Sequence, residues 1–200
     1  MKRAVAHLRK VDPVLARIIA RVGPCRIEYR DPAFSTLARA IIFQQLNGKA
    51  AASIFRRTVE ALGEGRLTPQ AVLRAPTRRL RAAGLSARKI EYLRDLAENT
   101  ASRVIRFGRL GQMSDEEVIA TVTQVKGIGA WSAHMFLIFA LRRPDVLAVG
   151  DYGVRAAVKK AYGLAGLPSP SELERIAQPW HPYCSVACWY LWRSLEFKGK

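Results

Sequence analysis

Acidic residues are scarce in this 200-residue chain: 16 Asp and Glu stand against 33 Lys and Arg, a formal net charge of +17. So basic a surface excludes an acidic or neutral binding face as the default and points to a polyanionic partner, without choosing among DNA, RNA and acidic membrane. Cysteine is also sparse. Cys25, Cys184 and Cys188 are odd in number and form no C-x-x-C pair, which excludes a disulfide framework. Cys184 and Cys188, four apart in an apolar stretch, read as small buried hydrophobes, and free thiols fit a reducing compartment. No window reaches the roughly 18 uninterrupted apolar residues of a membrane span, and Met1-Lys2-Arg3 opens no signal-type apolar run. A cytoplasmic protein without membrane partners is expected. Period-two alternation is nearly missing as well, with only Arg26 to Arg30 able to form a short extended piece.

Helix signals are plentiful. Asp12-Pro13 and Asp31-Pro32 each offer an N-cap carboxylate followed by an N1 proline. After the second, Phe34, Leu37, Ala38, Ile41 and Ile42 recur at three- and four-residue steps, giving one apolar face that breaks near Asn47-Gly48. Helices are predicted over 49–62, from Thr68-Pro69, over 77–83, from Ser86 to Leu96, from the Ser114-Asp115-Glu116-Glu117 capping box to about Val125, over 131–141 and over 151–162. Two more follow, one capped by Ser171 and one from near Pro182 to near Leu195. The fold class is all-α, with about ten helices and no sheet. Trp180, Trp189 and Tyr190 read as core.

Two local features carry chemistry. In Val125-Lys126-Gly127-Ile128-Gly129-Ala130-Trp131-Ser132-Ala133, two glycines one residue apart separate two helices. Such a turn can lie flush against a phosphate and aim the free N–H groups of the second helix at it, a grip that ignores base sequence. About twenty residues on, Leu147-Ala148-Val149-Gly150-Asp151 sets a carboxylate at the N-cap of a new helix, whose dipole and free N–H groups favour an anion there. Taken singly, the first is also a plain helical corner and the second also a plain cap. Together they form a specific pattern.

With Arg39-Ala40-Ile41-Ile42-Phe43-Gln44-Gln45-Leu46, and with Trp180-His181-Pro182-Tyr183 leading to Trp192, this pattern resembles the helix-hairpin-helix, Gly/Pro-rich loop and aspartate superfamily of DNA glycosylases, and within it the AlkA-type 3-methyladenine branch. The resemblance spans roughly residues 30 to 196. It implies two helical lobes with a cleft for a flipped nucleotide, a segment 1–30 packed on a 31–200 core, a hairpin at about 114–141 and a catalytic loop at about 144–152. The β-rich amino-terminal domain of longer members is not expected, and residues 1–30 are expected to give one helix and a short extended segment.

Residue by residue, the resemblance implies that Asp151 is the catalytic carboxylate. The backbone around Gly127 and Gly129, with Ser132, resembles the phosphate-binding hairpin, and Leu46 with Gln45 resembles the loop that fills the gap in the base stack. Trp131, Tyr152 and Trp192 resemble base-contacting aromatics, whereas Met135 stands where another aromatic is common and leaves the lesion preference open. The carbonyls of Thr123, Val125 and Ile128 match those that hold a K+ or Na+ ion in relatives, and the chemistry itself requires no cofactor. Trp131 occupies the position of the lyase lysine, which implies a monofunctional enzyme. Lys126, by contrast, is expected to face phosphate. Four clustered cysteines for an iron–sulfur centre are lacking.

The resemblance thus implies a monomer that acts on duplex DNA containing an alkylated base. An alkylated purine is cationic, so its glycosidic bond is weakened and one carboxylate can suffice, while aromatic faces suit the charged ring. A non-catalytic module that grips damaged DNA through the same hairpin is the alternative.

Overall fold

The computed structural model describes residues 1–196. Thirteen α-helices and one short 3-10 turn account for the regular structure among them, and no strand is present. Within these residues no helix is long and apolar enough to cross a membrane. The all-α expectation holds, and Arg26–Arg30 forms neither helix nor strand.

The chain divides into two compact units, one of Met1–Tyr29 with Leu137–Lys200 and one of Arg30–Phe136. In the first, α1 (Lys2–Val11) packs on α2 (Pro13–Val22), and both pack on α13 (Cys184–Ser194), which also meets α11 (Tyr152–Tyr162). The 3-10 turn Gln178–Trp180 joins α12 (Pro170–Ala177) to α1. Leu8, Leu15, Ile19, Ala157, Val158, Trp180, Cys188, Tyr190 and Leu191 are buried, consistent with the expected core roles of Trp180 and Tyr190 and of the thiol at 188. A single carboxylate ties this unit together. Asp12 Oδ1 accepts the N–H groups of Val14 (2.8 Å) and Leu15 (3.0 Å), capping α2. Its Oδ2 accepts Trp180 Nε1–H at 2.8 Å and the Tyr162 hydroxyl. A buried charge is tolerated only when so fully hydrogen-bonded. Burial and this carboxylate together push the Tyr162 phenol well up from its ordinary range.

In the second unit, α7 (Ala87–Ala101) is the central element. α3 (Phe34–Phe43), α5 (Pro69–Arg74) and α6 (Thr77–Ala82) all pack on it, and α4 (Gly48–Leu62) packs on α3 and α6. The apolar face anticipated on α3 is the one buried: Phe34, Leu37, Ala38, Ile41 and Ile42. Asn47 and Ser86 cap α4 and α7 as their positions suggest, and Gly63 ends α4 in the left-handed region.

Some boundaries differ from expectation. Residues 1–30 hold two helices rather than one, because α1 forms before the Asp12 cap. Asp31 is not a cap; the chain turns once more, with Thr36 Oγ1 donating to the Asp31 carbonyl, and α3 starts from Ala33. α7 continues five residues past Leu96, to Ala101. Ser169, not Ser171, caps α12, because Pro170 then takes N1 and Glu172 closes the capping box.

Candidate functional site

The hairpin is built from its caps inward. Ser114 Oγ accepts Glu117 N–H and Glu117 Oε2 accepts Ser114 N–H, so α9 (Asp115–Val122) starts from the predicted capping box. Buried Val125 and Ile128 pin the turn, Ile128 N–H donating to the Val125 carbonyl at 3.0 Å, and α10 (Ala130–Phe139) follows. Gly127 has φ 79, and a β-carbon there would lie 2.1 Å from Tyr92 Cδ2 on α7, so both conformation and space demand glycine. Gly129 has open space where its β-carbon would be, and Ser132 is buried.

Helix α7 also fixes the turn through charge. Asp95 Oδ2 accepts Lys126 N–H at 2.9 Å, and Glu91 pairs with the Lys126 ammonium at 2.9 Å. Lys126 thus pairs with a carboxylate of its own protein, both side chains staying more than half exposed, so the pair is a weak surface one.

The loop carrying Gln45 and Leu46 is anchored to the same two elements. Gln44 Nε2–H donates to the Gly127 carbonyl at 2.8 Å, and the Lys89 ammonium donates to the carbonyls of Ile42 (2.7 Å) and Gln44 (2.8 Å). Loss of solvent lowers the Lys89 pKa from its usual value. Gln45 adopts φ 57, a left-handed conformation that costs a non-glycine residue on the order of 1 kcal/mol and persists only where the surroundings enforce it. Leu46 is 38% exposed, unusual for a large aliphatic side chain held in so constrained a loop.

Neither Gln44 nor Lys89 is marked by sequence, since their partners are main-chain carbonyls. Replacing Lys89 with Met should cost about 1–3 kcal/mol, because two carbonyls lose their donor. Calorimetry should then show a melting temperature about 2–4 °C lower per kcal/mol lost. Lys89→Arg, which keeps a donor, should recover part of that loss. An unchanged melting temperature for Lys89→Met would show that the ammonium does not hold the loop.

In the other unit, Asp151 caps α11 from an extended conformation and is 8% exposed. Its Oδ1 accepts Val154 N–H at 2.7 Å and Trp192 Nε1–H at 2.8 Å. Gly153 permits this second contact, since a β-carbon there would lie 3.0 Å from Trp192 Cδ1 and 3.1 Å from Asp151 Oδ1. Trp192 also stacks on Phe139, with centroids 5.8 Å apart and planes at 29°. Tyr152, beside the carboxylate in sequence, is 72% exposed.

Trp131, Met135 and Phe139 recur every four residues along α10, hence on one face, and Trp131 is half exposed. The same spacing would have singled out Phe139 from the sequence. The carbonyls of Thr123, Val125 and Ile128 lie in the turn between α9 and α10; they are neutral, hard oxygen donors without a carboxylate, a set suited to a singly charged hard cation.

Three comparisons with known proteins agree. The family model for HhH-GPD superfamily base excision DNA repair proteins matches residues 38–182. The Schizosaccharomyces pombe DNA-3-methyladenine glycosylase 1 is 34% identical over 97% of this chain and 87% of its own length. A solved structure of the Schizosaccharomyces pombe 3-methyladenine DNA glycosylase in complex with abasic DNA superposes with a TM-score of 0.86, covering 98% of this chain and 97% of that one, at 34% identity. A Bacillus halodurans DNA-3-methyladenine glycosidase superposes with a TM-score of 0.84 at 36% identity, covering 94% and 87% of the two chains.

Proposed function

Because this chain belongs to the HhH-GPD superfamily of base excision DNA repair proteins, we propose that it removes alkylated bases from duplex DNA by hydrolysing the N-glycosidic bond, leaving an abasic site. The observation that carries the mechanism is Asp151, a nearly buried carboxylate held by a helix N-terminus and an indole N–H.

The hairpin amides at Gly127 and Gly129 take a backbone phosphate, and Leu46 with Gln45 occupies the space that the extruded nucleotide leaves. Unstacking costs a few kcal/mol, least for a damaged base, which is itself a source of selectivity. Tyr152, Trp192, Trp131 and Met135 are assigned to the flipped base, the aromatic rings attracting a cationic purine through their faces.

Bond breaking sends the C1′–N electron pair onto the purine and neutralises its positive charge, while positive charge develops on the sugar. Asp151 stabilises that charge at close range in a site poor in water. A water oxygen then bonds to C1′ and gives up its proton toward Asp151. The Trp192 N–H and Val154 N–H orient the carboxylate throughout.

No amine is needed and no strand is cut, in keeping with Trp131 at the position of the lyase lysine. A K+ or Na+ ion held by the carbonyls of Thr123, Val125 and Ile128 would stiffen the hairpin, and no step passes through it.

The test is a set of duplexes each carrying one lesion: 3-methyladenine, 7-methylguanine, ethenoadenine or hypoxanthine. At least one should release its base and give a strand that breaks only on alkali treatment. Breakage without alkali would contradict the monofunctional assignment. Tight binding with no abasic product from any lesion would favour a non-catalytic damage-binding module instead.

A further inference from the structure

A cluster of ligating side chains lies at the entrance to α13, outside the groups assigned to the reaction. Asp145 sits between α10 and α11, and His181 and Cys184 are three residues apart across the turn into α13. All three belong to one compact unit. His181 Nδ1 is 2.8 Å from Asp145 Oδ2, and Cys184 Sγ is 3.6 Å from His181 Nδ1. One ligand atom from each residue lies within 4.8 Å of the others. The second carboxylate oxygen of Asp145 accepts Cys184 N–H at 3.1 Å, which fixes the orientation of the first.

Two of the three separations are near those of a small tetrahedral ion, and the third, Cys184 Sγ to Asp145, is within 4.8 Å. Metal–sulfur bonds of about 2.3 Å and metal–nitrogen bonds of about 2.0 Å, at a tetrahedral angle, place sulfur and nitrogen about 3.5 Å apart. Cys184 Sγ is at that distance from His181 Nδ1 but also 3.8 Å from Nε2, so it lies against the ring, and the imidazole has to turn before its lone pair and the sulfur face one ion. Nitrogen and oxygen ligands would stand about 3.3 Å apart, so the His181–Asp145 pair has to open by only about half an ångström as one hydrogen bond gives way to two metal bonds.

The mixture of thiolate, imidazole and carboxylate selects a borderline divalent ion over magnesium or calcium. Two anionic ligands, the Asp145 carboxylate and the Cys184 thiolate formed on binding, neutralise the ion's charge. His181 is exposed, leaving a fourth position for water. We propose that Asp145, His181 and Cys184 bind a zinc ion that clips the turn into α13 to the segment ahead of α11.

Binding is proton-linked. Burial and Asp145 push the metal-free Cys184 thiol well up, so the group is no nucleophile on its own and the ion must displace its proton. Ligation through Nδ1 would leave the His181 ring proton on Nε2.

The experiment uses the full chain, reduced, stripped with a chelator and titrated with Co2+ at about pH 8. One ion per chain should bind, with a near-ultraviolet thiolate-to-cobalt charge-transfer band and the visible bands of a four-coordinate ion, and Zn2+ should displace both. Cys184→Ser should abolish the charge-transfer band, whereas Cys25→Ser and Cys188→Ser should keep it. Asp145→Asn retains an acceptor for Cys184 N–H, so its fold should persist. It and His181→Gln should weaken zinc affinity, measured against a chromogenic chelator, by at least about tenfold, the loss that even an outer partner of a metal ligand produces. No band with the unaltered chain, a band that survives Cys184→Ser, or equal affinity in the Asp145 and His181 variants would overturn the site. All these readouts are independent of base excision, so they stand or fall apart from the proposed activity.

Discussion

Asp151→Asn should lose excision by about a thousandfold or more, roughly 4 kcal/mol of transition-state stabilisation, while still binding lesion DNA. The substitution is clean because of how the carboxylate is held. Oδ1 accepts both Val154 N–H and Trp192 Nε1–H, and an asparagine carbonyl oxygen can accept the same two bonds. These two bonds, and with them the cap of α11 and the position of Trp192, are therefore retained, while the negative charge proposed to act on the sugar is removed. Asp151→Ala is a poorer test. It also deletes the cap, worth about 1 kcal/mol, and strips Trp192 of its acceptor. Single-turnover release of an alkylated base, measured beside a gel-shift titration, separates the two outcomes. An Asp151→Asn protein with full activity would remove Asp151 from the mechanism.

Gly127→Ala should damage the hairpin more than any other single methyl addition there. Two penalties add at this residue. A left-handed alanine costs about 1–2 kcal/mol. The new carbon would also lie 2.1 Å from Tyr92 Cδ2 and 2.3 Å from Cε2, inside the ring, so the turn or α7 must move. Overpacking of this kind costs typically about 1–3 kcal/mol. The Gly127 carbonyl carries the Gln44 contact, so the Leu46 loop is disturbed as well. The melting temperature should fall and DNA affinity should drop by at least about tenfold, which is 1.4 kcal/mol.

Gly129→Ala provides the contrast, since open space surrounds its would-be β-carbon. It should leave the melting temperature nearly unchanged and weaken DNA binding alone, through crowding of the phosphate. Adding Tyr92→Ala to Gly127→Ala should remove the overlap and recover part of the stability. A Gly127→Ala protein that binds DNA like its parent would show that the turn is not the phosphate grip.

These outcomes depend on features of unequal legibility in the sequence. The Asp12 and Asp151 caps, the Ser114 capping box and the glycines at 127 and 129 are local signals, whose partners lie within a few residues, and the structure holds each where its neighbours suggest. Asp31 misled because its carboxylate and proline meet the local rule for a cap while the chain makes one more turn before α3. The helix α1 escaped notice because it lacks a side-chain cap and buries only Ala4 and Leu8.

Long-range bonds were not legible at all. Trp192 meets Asp151 across 41 residues, Lys89 reaches the Ile42 carbonyl across 47, and Gln44 reaches Gly127 across 83. No spacing rule encodes them, because each follows from how whole helices pack. Lys126 shows the same limit in reverse: nothing near it in sequence announces Glu91.

The Asp12 junction bears on the order in which the protein is made. Its carboxylate is made before the unit Arg30–Phe136, yet Tyr162 and Trp180, which complete its hydrogen bonds, lie 150 and 168 residues downstream. The unit Arg30–Phe136 is continuous and is fully synthesised while that charge still waits in water. The helices made before that unit thus join helices made after it, so the discontinuous unit can close only once Arg30–Phe136 has been synthesised.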